Sequence, residues 1–150
     1  MKLLKTLLLI VILSTPQVVN SSPNPKVSEL ACMSSAIYYE SIGEPFTGKV
    51  AVAQVILERI KHPVYPNSVC TVISEYQQFP WFNKLNLPIK VFDETREIAE
   101  NVLAGRTKIK PAQGATHFHS VKVKPTWAKK MIHVTTIGNH RFYKENGKRK

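Results

Sequence analysis

A chain of 150 residues is long enough for one domain with a real hydrophobic core. Its formal net charge of +11 suits a polyanionic partner, and the charge is spread along the chain without a nucleic-acid-binding motif. The sequence has no internal repeat, no serine nucleophile elbow, no glycine-rich phosphate loop and no Cys-x-x-Cys, which excludes the reaction classes built on those motifs.

The first segment reads as a targeting signal. Lys2 and Lys5 flank the start of an apolar run, Leu3-Leu4 and then Leu7 to Leu13, that ends in Ser14-Thr15-Pro16. The run is shorter than the roughly 20 residues of a transmembrane helix. Residues 1–22 are therefore expected to be a secretory signal peptide cleaved near Ser21 or Ser22, with retention as a membrane anchor as the alternative. Loss of Lys2 and Lys5 with it would leave about +9. Residues 23–27 follow as a linker, and 28–150 as a folded domain with a basic tail from Lys144 to Lys150.

Val27, Leu30, Ala31, Ser34, Ile37 and Tyr38 recur at helical spacing, which predicts a first helix over 27–40. Gly43 and Pro45 end it, and Pro45 biases Glu44 away from helical backbone. A second helix over 48–60 is apolar almost all round, the mark of a buried central helix. Residues 62–92 are rich in proline and aromatics and read as loop, with one short helix near 69–74. Asp93 is a candidate N-cap for a helix over 94–104, and Gly105 its C-terminal stop. Beyond Pro111 the pattern turns to strands. One is expected within 115–121, and 132–137 with 140–144 read as a hairpin around Gly138-Asn139. Helices first and a small sheet later give an α+β fold. Cys32 and Cys70 are either one disulfide or two buried thiols.

Glu40 closes the predicted first helix. That end carries partial negative charge, which disfavours an ionised carboxylate and raises its pKa. Tyr38, Tyr39 and Phe46 would add desolvation. A carboxyl group tuned upward in this way suits a general acid at neutral pH. Glu44 precedes the second helix, where the opposite dipole end suits an ionised form. It is either a second functional carboxylate or a support for the loop. The run Glu75 to Phe82 sets Gln78, Phe79 and Trp81 together, and aromatic faces among amides are suited to holding sugars. His117 and His119 fall on one face of a strand. With His133, His140 or Glu40 they could form a zinc site, although an isolated His-x-His is a weak signal.

The segment Ile37-Tyr38-Tyr39-Glu40-Ser41-Ile42-Gly43-Glu44-Pro45, followed by Gly48-Lys49-Val50-Ala51-Val52-Ala53, resembles the SleB-type cell-wall hydrolases. That family includes spore-cortex lytic enzymes and related bacterial and phage lysins. Its pattern here is roughly Tyr-Gly-Glu-Ala-Arg-Gly-Glu-Pro and then Gly-Gln-Val-Ala-Val-Ala. Tyr65 to Cys70, Gln78 to Trp81, Ala115 to His119 with Trp127, and Ile137 to Tyr143 extend the likeness over about 28–143. Two positions depart from the pattern. Ser41-Ile42 replaces Ala-Arg, which removes a positive charge, and Tyr39 stands where a small residue precedes the glutamate.

The resemblance implies a lysozyme-like helical core with a small C-terminal antiparallel sheet, and a 28–150 catalytic domain. It implies cleavage of peptidoglycan between N-acetylmuramic acid and N-acetylglucosamine, as a lytic transglycosylase with Glu40 as acid and base. Glu44, Tyr38, Gln78, Phe79, Trp81, His119 and Asn139 are the expected substrate contacts. No cofactor or metal is called for. The expected partners are glycan strands and an anionic wall surface, with no specific nucleic acid, and the protein is expected to act as an exported monomer, periplasmic or extracellular. A zinc amidase using His117 and His119, and a non-catalytic wall- or nucleic-acid-binding module, are the alternative classes.

Overall fold

A computed structural model describes residues 25–75 and 93–147, with side chains from Glu29 onward. The expected signal segment and the Gln78, Phe79 and Trp81 cluster lie outside the described residues.

The first helix, α1 (Pro25–Glu40), starts two residues before the expected Val27. Proline is tolerated in a first helical turn, because the amide it lacks has no intrahelical partner there. A tight turn follows. Glu44 N–H donates to Ser41 O at 3.0 Å, and Gly43 takes φ +78°. A positive φ at the third position of such a turn is readily reached only by glycine or asparagine. Pro45, extended at φ −63° and ψ 159°, then opens α2 (Phe46–Lys61).

The short α3 (Val69–Ser74) has Ser68 as its N-cap. It is tied to α1 twice. The Glu29 carboxylate accepts from Val69 N–H at 2.7 Å, and Cys32 forms a disulfide with Cys70, with Cα atoms 5.3 Å apart. The helix α4 (Asp93–Leu103) takes Asp93 as its first helical residue rather than its cap. It ends as expected. Gly105, at φ +70°, donates to Val102 O at 3.0 Å, and Arg106 N–H donates to Asn101 O at 2.8 Å. This is a Schellman stop. Ser34 and Thr95 share a buried hydroxyl bond of 2.8 Å where α1 meets α4.

Three strands form one antiparallel sheet among the described residues: β1 (His117–Ser120), β2 (Ile132–Ile137) and β3 (His140–Lys144), in the order β1-β3-β2. A short 3-10 turn, Thr126–Lys130, lies between β1 and β2. Helices and sheet meet on α2. Val50, Ala53 and Ile56 face the cluster built with α1, α3 and α4. Ala51, Val52 and Val55 face Phe142 and the inner side of the sheet. A helix apolar on both sides is what a central position between two layers requires. The fold is thus α+β, with a helical body and a small C-terminal sheet.

The register of β2 against β3 shifts between His133 and Thr135, leaving Val134 as the extra residue of a bulge. Val134 and Ile137, three apart in sequence, then both pack toward α2. His133 and Thr136 both face outward, bonded to each other at 3.1 Å. Plain alternation would have put each pair on opposite faces.

Candidate active site

Glu40 is the last residue of α1 and is half-buried. Just before it, Tyr38 and Tyr39 meet edge to face with centroids 5.1 Å apart, both half-buried. Phe46, expected to shield the carboxyl, is 56% exposed. Its position in the first turn of α2 leaves most of the ring in solvent.

Four residues on, the backbone has turned and Glu44 points inward, only 7% exposed. Its Oε2 accepts the Asn139 backbone N–H at 2.9 Å, across 95 residues of sequence. The structure therefore brings together two of the residues singled out in the sequence, through the backbone of Asn139. Glycines on both sides make the contact possible. A Cβ at Gly138 would overlap Glu44 Oε2, and one at Gly48 would stand 3.3 Å from the same atom. The His140 Nδ1 lies 4.0 Å from Glu44 Oε1. Among the described residues it is buried without a hydrogen-bond partner. Burial holds the His140 pKa below the ordinary imidazole value, although the Glu44 charge pulls the other way.

Arg59 was not among the residues marked by sequence. It is 4% exposed in α2 and donates from Nε to Thr116 O at 2.8 Å. Its guanidinium lies 5.6 Å from the centre of the Tyr65 ring. Burial lowers its pKa, while Tyr65 and the Glu40 carboxylate favour its charged form. The same charge helps burial lower the His117 pKa. Arg59 is thus a buried cation within the electrostatic reach of Glu40 on one side and His117 on the other. One signal was available: Arg59 lies in a largely apolar stretch, Val50 to Ile60, where a buried arginine must be answered by hydrogen bonds and charge.

His117 and His119 do share one face of β1, as the alternation predicts, since they sit opposite Tyr143 and Arg141 of β3. Both are engaged with the protein. His119, 9% exposed, donates from Nδ1 to Ser120 O at 2.8 Å. Its Nε2 then accepts from the Tyr143 hydroxyl at 3.0 Å. His117 Nδ1 lies 3.0 Å from Thr116 Oγ1. Among the described residues no group of three His, Cys, Asp or Glu side chains converges on a metal-sized space. A separate cavity of about 520 Å³ opens between α2 and the segment after α4, lined by Leu57, Glu58, Lys61, Lys108 and Lys110 among others. None of the candidate catalytic or substrate-contact residues named from the sequence lines it.

Chemically, the arrangement offers one half-buried carboxyl group at a helix end, a buried cation that favours its ionised form, and a second carboxylate committed to holding the hairpin turn. Comparison with known proteins gives this geometry a family. The family described as Cell Wall Hydrolase matches residues 43–143. The spore cortex-lytic enzyme of Halalkalibacterium halodurans is 30% identical over 116 residues, covering 77% of this chain and 34% of that protein. That of Bacillus subtilis is 28% identical, covering 77% and 37%. The chain thus spans roughly a third of the length of these relatives. Among solved structures, the catalytic domain of the germination-specific lytic transglycosylase SleB from Bacillus anthracis aligns with TM-score 0.70 and 27% identity, covering 85% of this chain and all of that domain. The catalytic domain of the Bacillus cereus SleB protein aligns at 0.68 and 26%, covering 87%. With its motif carried on the α1–α2 turn and answered by the β2–β3 hairpin, this chain belongs to the SleB-type cell wall hydrolase family.

Proposed function

We propose that this domain cleaves peptidoglycan glycan strands between N-acetylmuramic acid and N-acetylglucosamine, as a lytic transglycosylase in which Glu40 is first acid and then base. The observation that carries the reading is the place of Glu40 in a chain of this family. It is half-buried at the C-terminal end of α1, with the Arg59 cation within electrostatic reach. The helix end favours the protonated carboxyl, and Arg59 favours the carboxylate. A residue that must give a proton and then take one needs both forms within reach.

In the first step the Glu40 carboxyl donates its proton to the glycosidic oxygen as the bond from that oxygen to the muramic C1 breaks. The N-acetylglucosamine side leaves with a new hydroxyl. The muramic C6 hydroxyl then attacks C1, and the Glu40 carboxylate takes its proton. The product is a 1,6-anhydro ring and the carboxyl group is restored. No water is consumed and no second carboxylate acts as nucleophile, which leaves Glu44 free for its structural bond.

The Glu40→Gln protein tests this. The amide fills the same space and cannot donate the proton, so clearing of purified walls is expected to fall by about 10²–10⁴-fold with an unchanged circular dichroism spectrum. Mass spectrometry of wild-type digests is expected to show glycan ends one water lighter than reducing ends. Near wild-type clearing by the variant, or activity that chelator abolishes and zinc restores, would overturn the assignment.

A further inference from the structure

The outward face of the sheet takes no part in the chemistry assigned to Glu40. His117 and His119 from β1, Tyr143 from β3 and His133 from β2 share it, and Trp127 of the 126–130 turn joins them. The Trp127 ring centre is 5.4 Å from His117, 5.5 Å from His119 and 5.6 Å from Tyr143. His119 stacks on Tyr143 at 5.1 Å, and His133 meets Tyr143 at 5.2 Å. Tyr143 and His119 are buried, Trp127 and His117 are half-exposed, and His133 is exposed. A hydrogen bond from His119 to Ser120 O, one from the Tyr143 hydroxyl to His119, and one between His133 and Thr136 fix the supporting rings. The platform is therefore ordered before anything binds.

Its surroundings are mainly cationic, although the Glu145 charge also reaches His117. Lys122, Lys124, Lys129 and Lys130 are all exposed, and residues 121–130 contain no acidic side chain. Arg141, paired with His119 across the strands, is exposed as well. A buried arginine joins this region to the proposed catalytic residue: the Arg59 charge acts on His117, and the Glu40 charge acts on Arg59.

We propose that the Trp127 platform is a binding subsite for the acidic N-acetylated sugars of the glycan strand, with a pyranose ring packed on Trp127 and the carboxylates of bare lactyl groups, or of the stem peptides that amidate them, drawn to the neighbouring lysines. This rests on the reading that the domain acts on peptidoglycan. The chemistry favours a sugar over single-stranded nucleic acid. The apolar face of a pyranose needs one flat ring with polar hydrogens around its edge, which an indole framed by imidazoles provides. Nucleic acid binding uses a succession of rings, one per base, along a basic groove. Here the rings form one compact cluster around Trp127 and not a succession along a groove.

The test uses the full chain carrying Glu40→Gln, so that substrate is not consumed. The probe is a tetrasaccharide of alternating N-acetylglucosamine and N-acetylmuramic acid. Side-chain NMR shifts are expected to move at Trp127, His117 and His133 on titration. Trp127→Phe, which keeps an aromatic face, should retain most of the affinity. Trp127→Leu, which keeps apolar cover over Tyr143, should lose about tenfold, the effect of one stacked ring. In the Glu40 protein the same Trp127→Leu change is expected to act mainly on KM. Chitotetraose, which lacks the carboxylates, should bind more weakly and with less dependence on salt. Should Trp127→Leu fail to fold, the shift map on the Trp127 protein decides the question. Unmoved platform resonances while the tetrasaccharide binds and the Glu40 protein cleaves walls would overturn the subsite and leave the catalytic reading standing. Moved resonances without any cleavage would do the reverse. Tighter binding of an oligothymidylate than of the tetrasaccharide at the same rings would also overturn the proposal.

Discussion

At the scale of single residues, the second glutamate of the motif has a structural task. Glu44 is a buried bond between the α1–α2 turn and the hairpin, accepting from Asn139 N–H at 2.9 Å. Glu44→Gln keeps an acceptor and is expected to cost about 1 kcal/mol of stability. Glu44→Ala leaves that N–H without its partner and should cost about 1–3 kcal/mol. Gly138→Ala should be more damaging than Gly105→Ala. Both glycines have positive φ, but an added Cβ meets nothing within 4 Å at Gly105, whereas at Gly138 it overlaps Glu44. Because Glu44→Ala removes the carboxylate part of that overlap and leaves only the close approach to Pro45 Cδ, Gly138→Ala should cost less on that background. Urea unfolding of the single and double variants measures this coupling, and strict additivity would refute the contact.

Two imidazoles set a pH dependence. Burial holds His140 below the ordinary value of 6.5, against the pull of Glu44. Burial and the Arg59 charge do the same for His117. Below about pH 6.5 the unfolded chain binds protons on these rings before the folded chain does. Stability is therefore expected to fall as pH drops through that window, and the slope ends once the folded rings are protonated too. Thermal unfolding from about pH 7.5 to about pH 5 checks this. His140→Asn should flatten part of the curve, and an equally steep curve in that variant would remove His140 as a cause.

At the scale of elements, the disulfide decides how firmly α3 is held. Cys32 and Cys70 are 38 residues apart in sequence. In the chain-entropy account, closing a loop of that length stabilises the fold by about 4 kcal/mol. Cys32→Ala with Cys70→Ala should lower the unfolding free energy by about that amount and loosen α3 first. The Glu29 carboxylate would remain to hold Val69 N–H. Hydrogen exchange across 65–75 measures the local effect, and unchanged protection there would show that Glu29 and packing suffice without the bridge.

At the scale of the whole molecule, we propose that charge governs approach to the wall. The chain carries a net +11, of which about +9 would remain without the first segment. Surface attraction of this kind fades beyond a Debye length of about 8 Å at physiological salt. Wall binding by the Glu40→Gln protein is therefore expected to weaken between low and high salt, with a salt-resistant fraction from short-range glycan contacts. We propose that the protein meets the wall after export. The segment from Lys2 to Thr15 supports this, and so does the disulfide, which suits an oxidising compartment. Intact-mass measurement of the exported chain should show residues 1–20 removed, and their retention would mean an anchor.

The sequence by itself determined the elements and where the two motif glutamates fall along them. Helical spacing, Gly43-Pro45, Gly105 and Gly138-Asn139 set the ends of α1, α2 and α4 and the turn of the hairpin, because these signals are local and act through backbone geometry. The nearly continuous apolarity of 50–57 marked α2 as central before any partner was known. Tertiary structure alone decided which distant groups meet. Glu44 finds Asn139 across 95 residues, Arg59 finds Thr116 O across 57, and Cys32 finds Cys70 across 38. The bulge at Val134 reassigned the faces of β2, so that His133 joined the outer ring cluster together with Thr136. The physical reason is the same in each case. A pairing between distant groups depends on how the layers pack, and a one-residue insertion changes which side chains share a face without altering the periodic pattern enough to be read beforehand.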